Sequence, residues 1–151
     1  MISYEQDLYA WTKEHVALLQ TRQFDKLDVP NLIEELEYMA KRDKRELFSR
    51  MILLFCHLLK WQFQTTRRSR SWEKTIIEQR HQLEFILADS PTLYHKLAEK
   101  WAILYIKAVK QASRETKLSL NSFPATCPYI LEQVLDDDFY PNPTNEENHD
   151  E

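Results

Sequence analysis

The sequence predicts an all-α fold, an antiparallel four-helix bundle with a short extra helix near the C-terminus. Three observations predict it. The 151 residues contain no glycine, where ordinary composition would supply roughly ten. Glycine is the usual residue wherever the backbone needs φ > 0, as in hairpin turns, β-bulges and phosphate loops. A chain without it has few ways to make tight β-hairpins, and it cannot build a Walker loop or a dinucleotide fingerprint. Apolar residues also recur at three- and four-residue spacing through four long segments, the period of an amphipathic helix. The corners between those segments carry Ser, Asp and Pro, the residues that start helices.

Ser3 with Gln6 three residues later has the form of a capping box. A helix from about Tyr4 to Gln23 follows, with Tyr4, Leu8, Trp11, His15, Leu18 and Leu19 on one face. Phe24 to Leu27 form a corner. Asp28 is the next N-cap, and Pro30 sits in the first turn, where its missing N–H costs nothing. The second helix is expected from about Pro30 to Gln64. Leu32, Leu36, Ala40, Asp43, Leu47, Met51, Leu54, Leu58 and Trp61 stay near one stripe along it. That length is unusual in a globular domain. The polar stretch 41–46 is where a break would fall, although no Pro marks it.

Residues 65–70 read as a loop. Ser71 reads as the cap of a third helix ending near Asp89, with Glu73 in its first turn and Trp72, Ile76, Leu83 and Leu87 along its stripe. Ser90-Pro91 opens a fourth helix running to about Leu120. A short fifth helix is expected from about Pro128 to Leu135, among four prolines. Residues 1–143 are expected to form a single domain, followed by an acidic, disordered tail over 144–151. That tail holds Glu146, Glu147, Asp150 and Glu151; the remaining 20 acids balance 20 bases.

With 43% apolar and 29% charged residues, the chain has a globular composition. A net charge of −4 gives no general affinity for nucleic acid. The N-terminus lacks a basic stretch followed by an apolar run, and the longest apolar run, 51–56, is far too short to span a bilayer. Cytosol is therefore the expected compartment, without membrane association. Cys56 and Cys127 do not make a disulfide framework.

Three groups of residues could carry chemistry. Arg50 and His57 lie seven residues apart, on one helix face about 10 Å apart. Imidazole can move a 2′-hydroxyl proton and guanidinium can stabilise phosphate charge. The competing reading pairs Arg50 with Glu46, one turn away, and packs His57 beside Trp61. In the second group, Lys60, Arg67, Arg68, Arg70, Lys74 and Arg80 give residues 60–80 a net charge of +4, interleaved with Trp61, Phe63 and Trp72. This is either a base-stacking cationic surface or a solvated corner, and the corner is the preferred reading. The binding surface, if there is one, is Arg67, Arg68, Arg70 and Lys74.

Glu78 and His81, a Glu-x-x-His on one helix face, form the third group. They are the candidates for a metal, with Glu34, Glu35 and Glu37 as further carboxylates. His15, His57, His81 and His95 come one per helix, with His149 in the tail, so the ligand count is thin. Asp136, Asp137 and Asp138 lack the further oxygens a calcium site needs. Cys127 is expected to start the short helix and pack. Neither metal nor cofactor is expected.

Arg50-x6-His57 resembles the Arg-x(4–6)-His signature of the HEPN ribonucleases, helical bundles in which a histidine and an arginine at a dimer interface cleave RNA without metal. That resemblance covers two residues. A second one covers residues 4–141. Tyr4 to Trp11, Leu27-Asp28 with Leu32 to Glu37, His57 to Trp61, Ser71-Trp72-Glu73, Phe123-Pro124 with Cys127-Pro128-Tyr129, and Asp138 to Pro141 resemble the successive blocks of domain of unknown function family twenty-nine. The resemblance implies a compact helical bundle from a bacterium, cyanobacterial by the family's distribution, and no activity. The expectation is a non-catalytic binding or interaction module, with a homodimer or another protein as partner. An RNA-binding or RNA-cleaving bundle and a metal-binding bundle are the alternatives.

Overall fold

The computed structural model describes residues 2–143; the expected acidic tail at 144–151, with His149, lies outside the described residues. The chain is all-helical, with no strand among the described residues. Six α-helices are described: α1 (Leu8–Gln20), α2 (Val29–Phe63), α3 (Arg70–Asp89), α4 (Thr92–Glu99), α5 (Trp101–Thr116) and α6 (Leu131–Leu135). By contacts the chain divides into two compact units, Met1–Asp43 and Lys44–Glu151.

In the first unit, helix α1 starts later than the Ser3 capping box predicts. The Ser3 carbonyl closes a turn by accepting from Asp7 N–H. The Asp7 side chain is the cap, accepting from Ala10 N–H at 3.0 Å. Trp11 and His15 are buried, with their rings stacked 4.0 Å apart, and Tyr4 meets Trp11 edge-on at 4.9 Å. Asp28 caps α2 as expected, its carboxylate accepting from the backbone and side chain of Asn31. Helix α2 runs without a break through 41–46, a stretch without Pro or Gly to interrupt its ladder.

The second unit takes the rest of α2 and everything after it. Leu47, Met51, Leu54, Phe55 and Leu58 of α2 pack with Ile76 and Leu83 of α3, Leu97 of α4, Leu104, Tyr105 and Ala108 of α5, and Val134 of α6. Helix α3 starts at Arg70, capped by Ser69 rather than Ser71: the Ser69 hydroxyl accepts from Trp72 N–H at 3.3 Å. The expected fourth helix is two. Lys100, at φ −102° and ψ 10°, ends α4 and begins α5. Helix α5 stops at Thr116, where Lys117 turns left-handed at φ 62°. Arg22 does the same after α1, at φ 57°. In a chain without glycine, these two long basic residues occupy the positions glycine would normally take.

Candidate functional site

The N-terminal unit turns much of its apolar surface outward. On α2, Val29 is 50% exposed, Ile33 51% and Leu36 63%; Met39 is exposed too, and Tyr38 is exposed on the opposite side of the helix. This corrects the expectation of one buried stripe along α2: the stripe is buried from Leu47 to Leu58, half-buried at Leu32 and Trp61, and bare from Leu36 to Asp43. Leu8 and Leu19 of α1, read as core-facing, are also exposed.

A groove of about 370 Å³ is lined by Tyr4, Leu8, Glu34, Glu35, Glu37, Tyr38 and Lys41. The Tyr4 hydroxyl donates to Glu35 Oε1 at 2.6 Å, and this bond to a carboxylate pushes the phenol up to about 12. Glu34, Glu35 and Glu37 are therefore placed as one acidic wall with Lys41 at its end.

His15 is locked by two bonds. Its Nδ1 faces the Trp11 carbonyl at 3.0 Å, so that nitrogen carries the proton. Its Nε2 accepts from Asp28 N–H at 3.0 Å. The neutral imidazole thus ties α1 to the start of α2.

The residues nominated for chemistry in the second unit are engaged with the scaffold. Arg50 Nε bonds Glu46 Oε1 at 3.1 Å, and its NH1 donates to Gln79 Oε1 at 3.2 Å. The pairing with Glu46 expected from helical spacing is therefore present. His57 is buried, and its Nδ1 donates to the Leu53 carbonyl at 2.9 Å. Burial holds its imidazole below the usual range, and nearby Lys60 acts in the same direction.

Lys60 and Arg80 do not belong to an exposed cationic corner. Lys60 is buried, its ammonium 4.7 Å from the Trp72 ring centre and 3.9 Å from Glu115 Oε1. Glu115 also accepts from the Cys56 thiol at 3.0 Å. Burial and that bond push the thiol up, away from thiolate chemistry. Arg80 is 2% exposed and donates to the carbonyls of Val134 at 2.9 Å, Asp137 at 3.3 Å and Phe139 at 2.6 Å.

Arg68 is half-buried. It lies over the Trp61 ring at 4.8 Å, with Nε donating to the Trp61 carbonyl at 2.8 Å. Of the proposed binding surface, Arg67, Arg70 and Lys74 remain exposed. Arg70 and Lys74 line a shallow surface with Glu73 and Glu78, which offsets their charge. His81 lines a separate cavity with Arg80, Glu84, Asp137 and Tyr140, apart from Glu78. Glu78 itself accepts from Gln82 Nε2 at 3.1 Å. No three His, Cys, Asp or Glu side chains are grouped to hold a metal ion among the described residues. Cys127 is half-buried, its thiol donating to the Tyr129 carbonyl at 3.3 Å and pushed up to about 11 by burial. It precedes α6, which begins only at Leu131.

Sequence reasoning overlooked Glu115, because nothing in its local pattern sets it apart. It also overlooked the inward turn of Arg80. Its partners are backbone carbonyls of Val134, Asp137 and Phe139, which leave no mark in the side-chain pattern.

These features define an all-helical chain whose second unit ties Lys60 and Arg80 to its scaffold and whose first unit leaves an apolar face open. The chain belongs to the family described as domain of unknown function DUF29, whose model matches residues 3–140. No curated protein and no solved structure matches it.

Proposed function

We propose that this chain is a non-catalytic binding module of the cytoplasm, working through protein association. In this reading the helices of the second unit form an antiparallel bundle that serves as scaffold, in keeping with the short links between them. The observation that carries the reading is the bare apolar face over residues 29–40. Clustered exposed apolar side chains of this kind mark interaction surfaces. Support comes also from the bonds that hold Arg50 and His57: a guanidinium shared between Glu46 and Gln79, and an imidazole under cover, are poorly placed to meet a phosphodiester.

Two measurements on the purified full chain test it. Light scattering is expected to find an association that Leu36→Glu weakens at least tenfold, and incubation with RNA is expected to give no turnover. RNA turnover that is lost in folded Arg50→Ala and His57→Ala proteins would overturn the reading.

A further inference from the structure

We propose that the cavity between α5 and residues 120–125 is a binding site for a small amphiphile with an apolar body and one carboxylate head. Ile106 and Val109 of α5 line one side of it, and Leu120, Phe123 and Pro124 line the other. Its volume is about 390 Å³, within the range of small-molecule sites, which are mostly apolar with a few polar groups that orient the ligand. The cavity lies wholly in the second unit and shares no residue with the apolar face of α2.

Its walls are fixed without a ligand. The buried Tyr105 hydroxyl donates to the Pro124 carbonyl at 2.6 Å, and the Ser113 hydroxyl donates to the Leu118 carbonyl at 2.6 Å. Both bonds tie the segment after α5 back onto that helix. The Phe123 ring packs against Phe63 of α2, with centres 5.4 Å apart. The one proton of Tyr105 is committed to Pro124, so the side-chain donors left to the cavity are the Lys110 ammonium and the Asn121 amide.

The charge at the cavity selects the head group. Lys110 is the one charged residue in the lining and makes no ion pair among the described residues. Residues 100–130 hold five bases and one acid. That acid, Glu115, is turned to the Cys56 thiol and to Lys60. Arg114 is exposed one helical turn after Lys110, on the same side of α5. Apolar walls lower the local dielectric, which strengthens the pull of an ammonium on an anion. A carboxylate accepts from Lys110 and Asn121, while the chain behind it covers Ile106 and Leu120, which are 50% and 53% exposed.

The test is calorimetric titration of the untagged full chain with decanoate, and separately with decylamine, below the onset of micelles. Decanoate is expected to saturate one site per chain and to bind at least tenfold more tightly than decylamine. Lys110→Met should remove that preference. Ile106→Asp, at an exposed position, should abolish decanoate binding with helicity by circular dichroism unchanged. Amide resonances of Val109, Leu120 and Phe123 should shift on titration. Leu36→Glu should leave decanoate binding as it is, so the site stands or falls apart from the association read on α2. No saturable decanoate binding, equal binding of decylamine, or binding that survives Ile106→Asp and is lost in Leu36→Glu would overturn the proposal.

Discussion

The Arg80 guanidinium on α3 reaches the backbone carbonyl of Phe139 at 2.6 Å, across 59 positions of sequence. Two more carbonyls, those of Val134 and Asp137, accept from its Nε and NH1, so each of the three nitrogens has a partner, and the Tyr140 ring lies 5.3 Å from its carbon. A buried cation is tolerable only when its donors are satisfied, and a carbonyl-lined segment satisfies them without a fixed counter-charge. Burial still lowers the guanidinium's proton affinity, although Asp136, Asp137 and Asp138 act against that.

Replacing Arg80 by Ala should therefore cost stability by about 3 kcal/mol, because three carbonyls lose their donor in a covered site. Chemical denaturation measures the loss. Limited proteolysis should cut first within residues 134–141. Arg80→Lys, with one point charge in place of a fork, should recover only part of the difference.

In the N-terminal unit, His15→Ala should release α1 from Asp28. Two hydrogen bonds and a stacked ring are lost, with an expected cost of about 2 kcal/mol. Amide exchange should accelerate across residues 8–28 and stay unchanged in α3 and α5.

His57 sets part of the pH response. Its folded-state proton affinity is depressed by burial, with Lys60 adding to the effect and the Leu53 carbonyl and Glu115 opposing it. The unfolded chain therefore takes up a proton at higher pH than the folded one, and stability is full above the ordinary imidazole range near 6.5. It falls as pH drops through that range toward the depressed folded value. Melting temperature followed from pH 8 to pH 5 should show this decline, and His57→Leu should flatten it.

Lys117 holds a left-handed conformation at φ 62°, which disfavours a residue with Cβ by roughly 1–2 kcal/mol. Glycine there removes the clash at an entropic cost of about 0.5–1 kcal/mol. Lys117→Gly should thus raise stability by about 0.5 kcal/mol, measured by thermal or chemical unfolding.

Much of the fold was legible because it depends on local chemistry. The absent glycines and the apolar period predict helices, and Asp28 and the Ser-Pro corner before α4 place two starts within a residue or two. The break at Lys100 was not legible: the apolar positions continue across it, and neither Pro nor Gly marks it. The Arg50–Glu46 pair was readable from one helical turn. The inward turn of Lys60 and Arg80 was not, since their partners come from other elements, Trp72 and Glu115 for one and the 134–139 carbonyls for the other. The stripe on α2 announces an apolar face at 29–40 as clearly as at 47–58. Periodicity alone does not say that the first part is left bare.

The most direct measurement is the native mass of the untagged full chain, by mass spectrometry that preserves non-covalent contacts, beside the Leu36→Glu variant. The account predicts twice the chain mass of 18.2 kDa for the wild type, with no bound metal or nucleotide, and a single chain mass for the variant. A wild type that flies as one chain carrying a bound metal or nucleotide would contradict it.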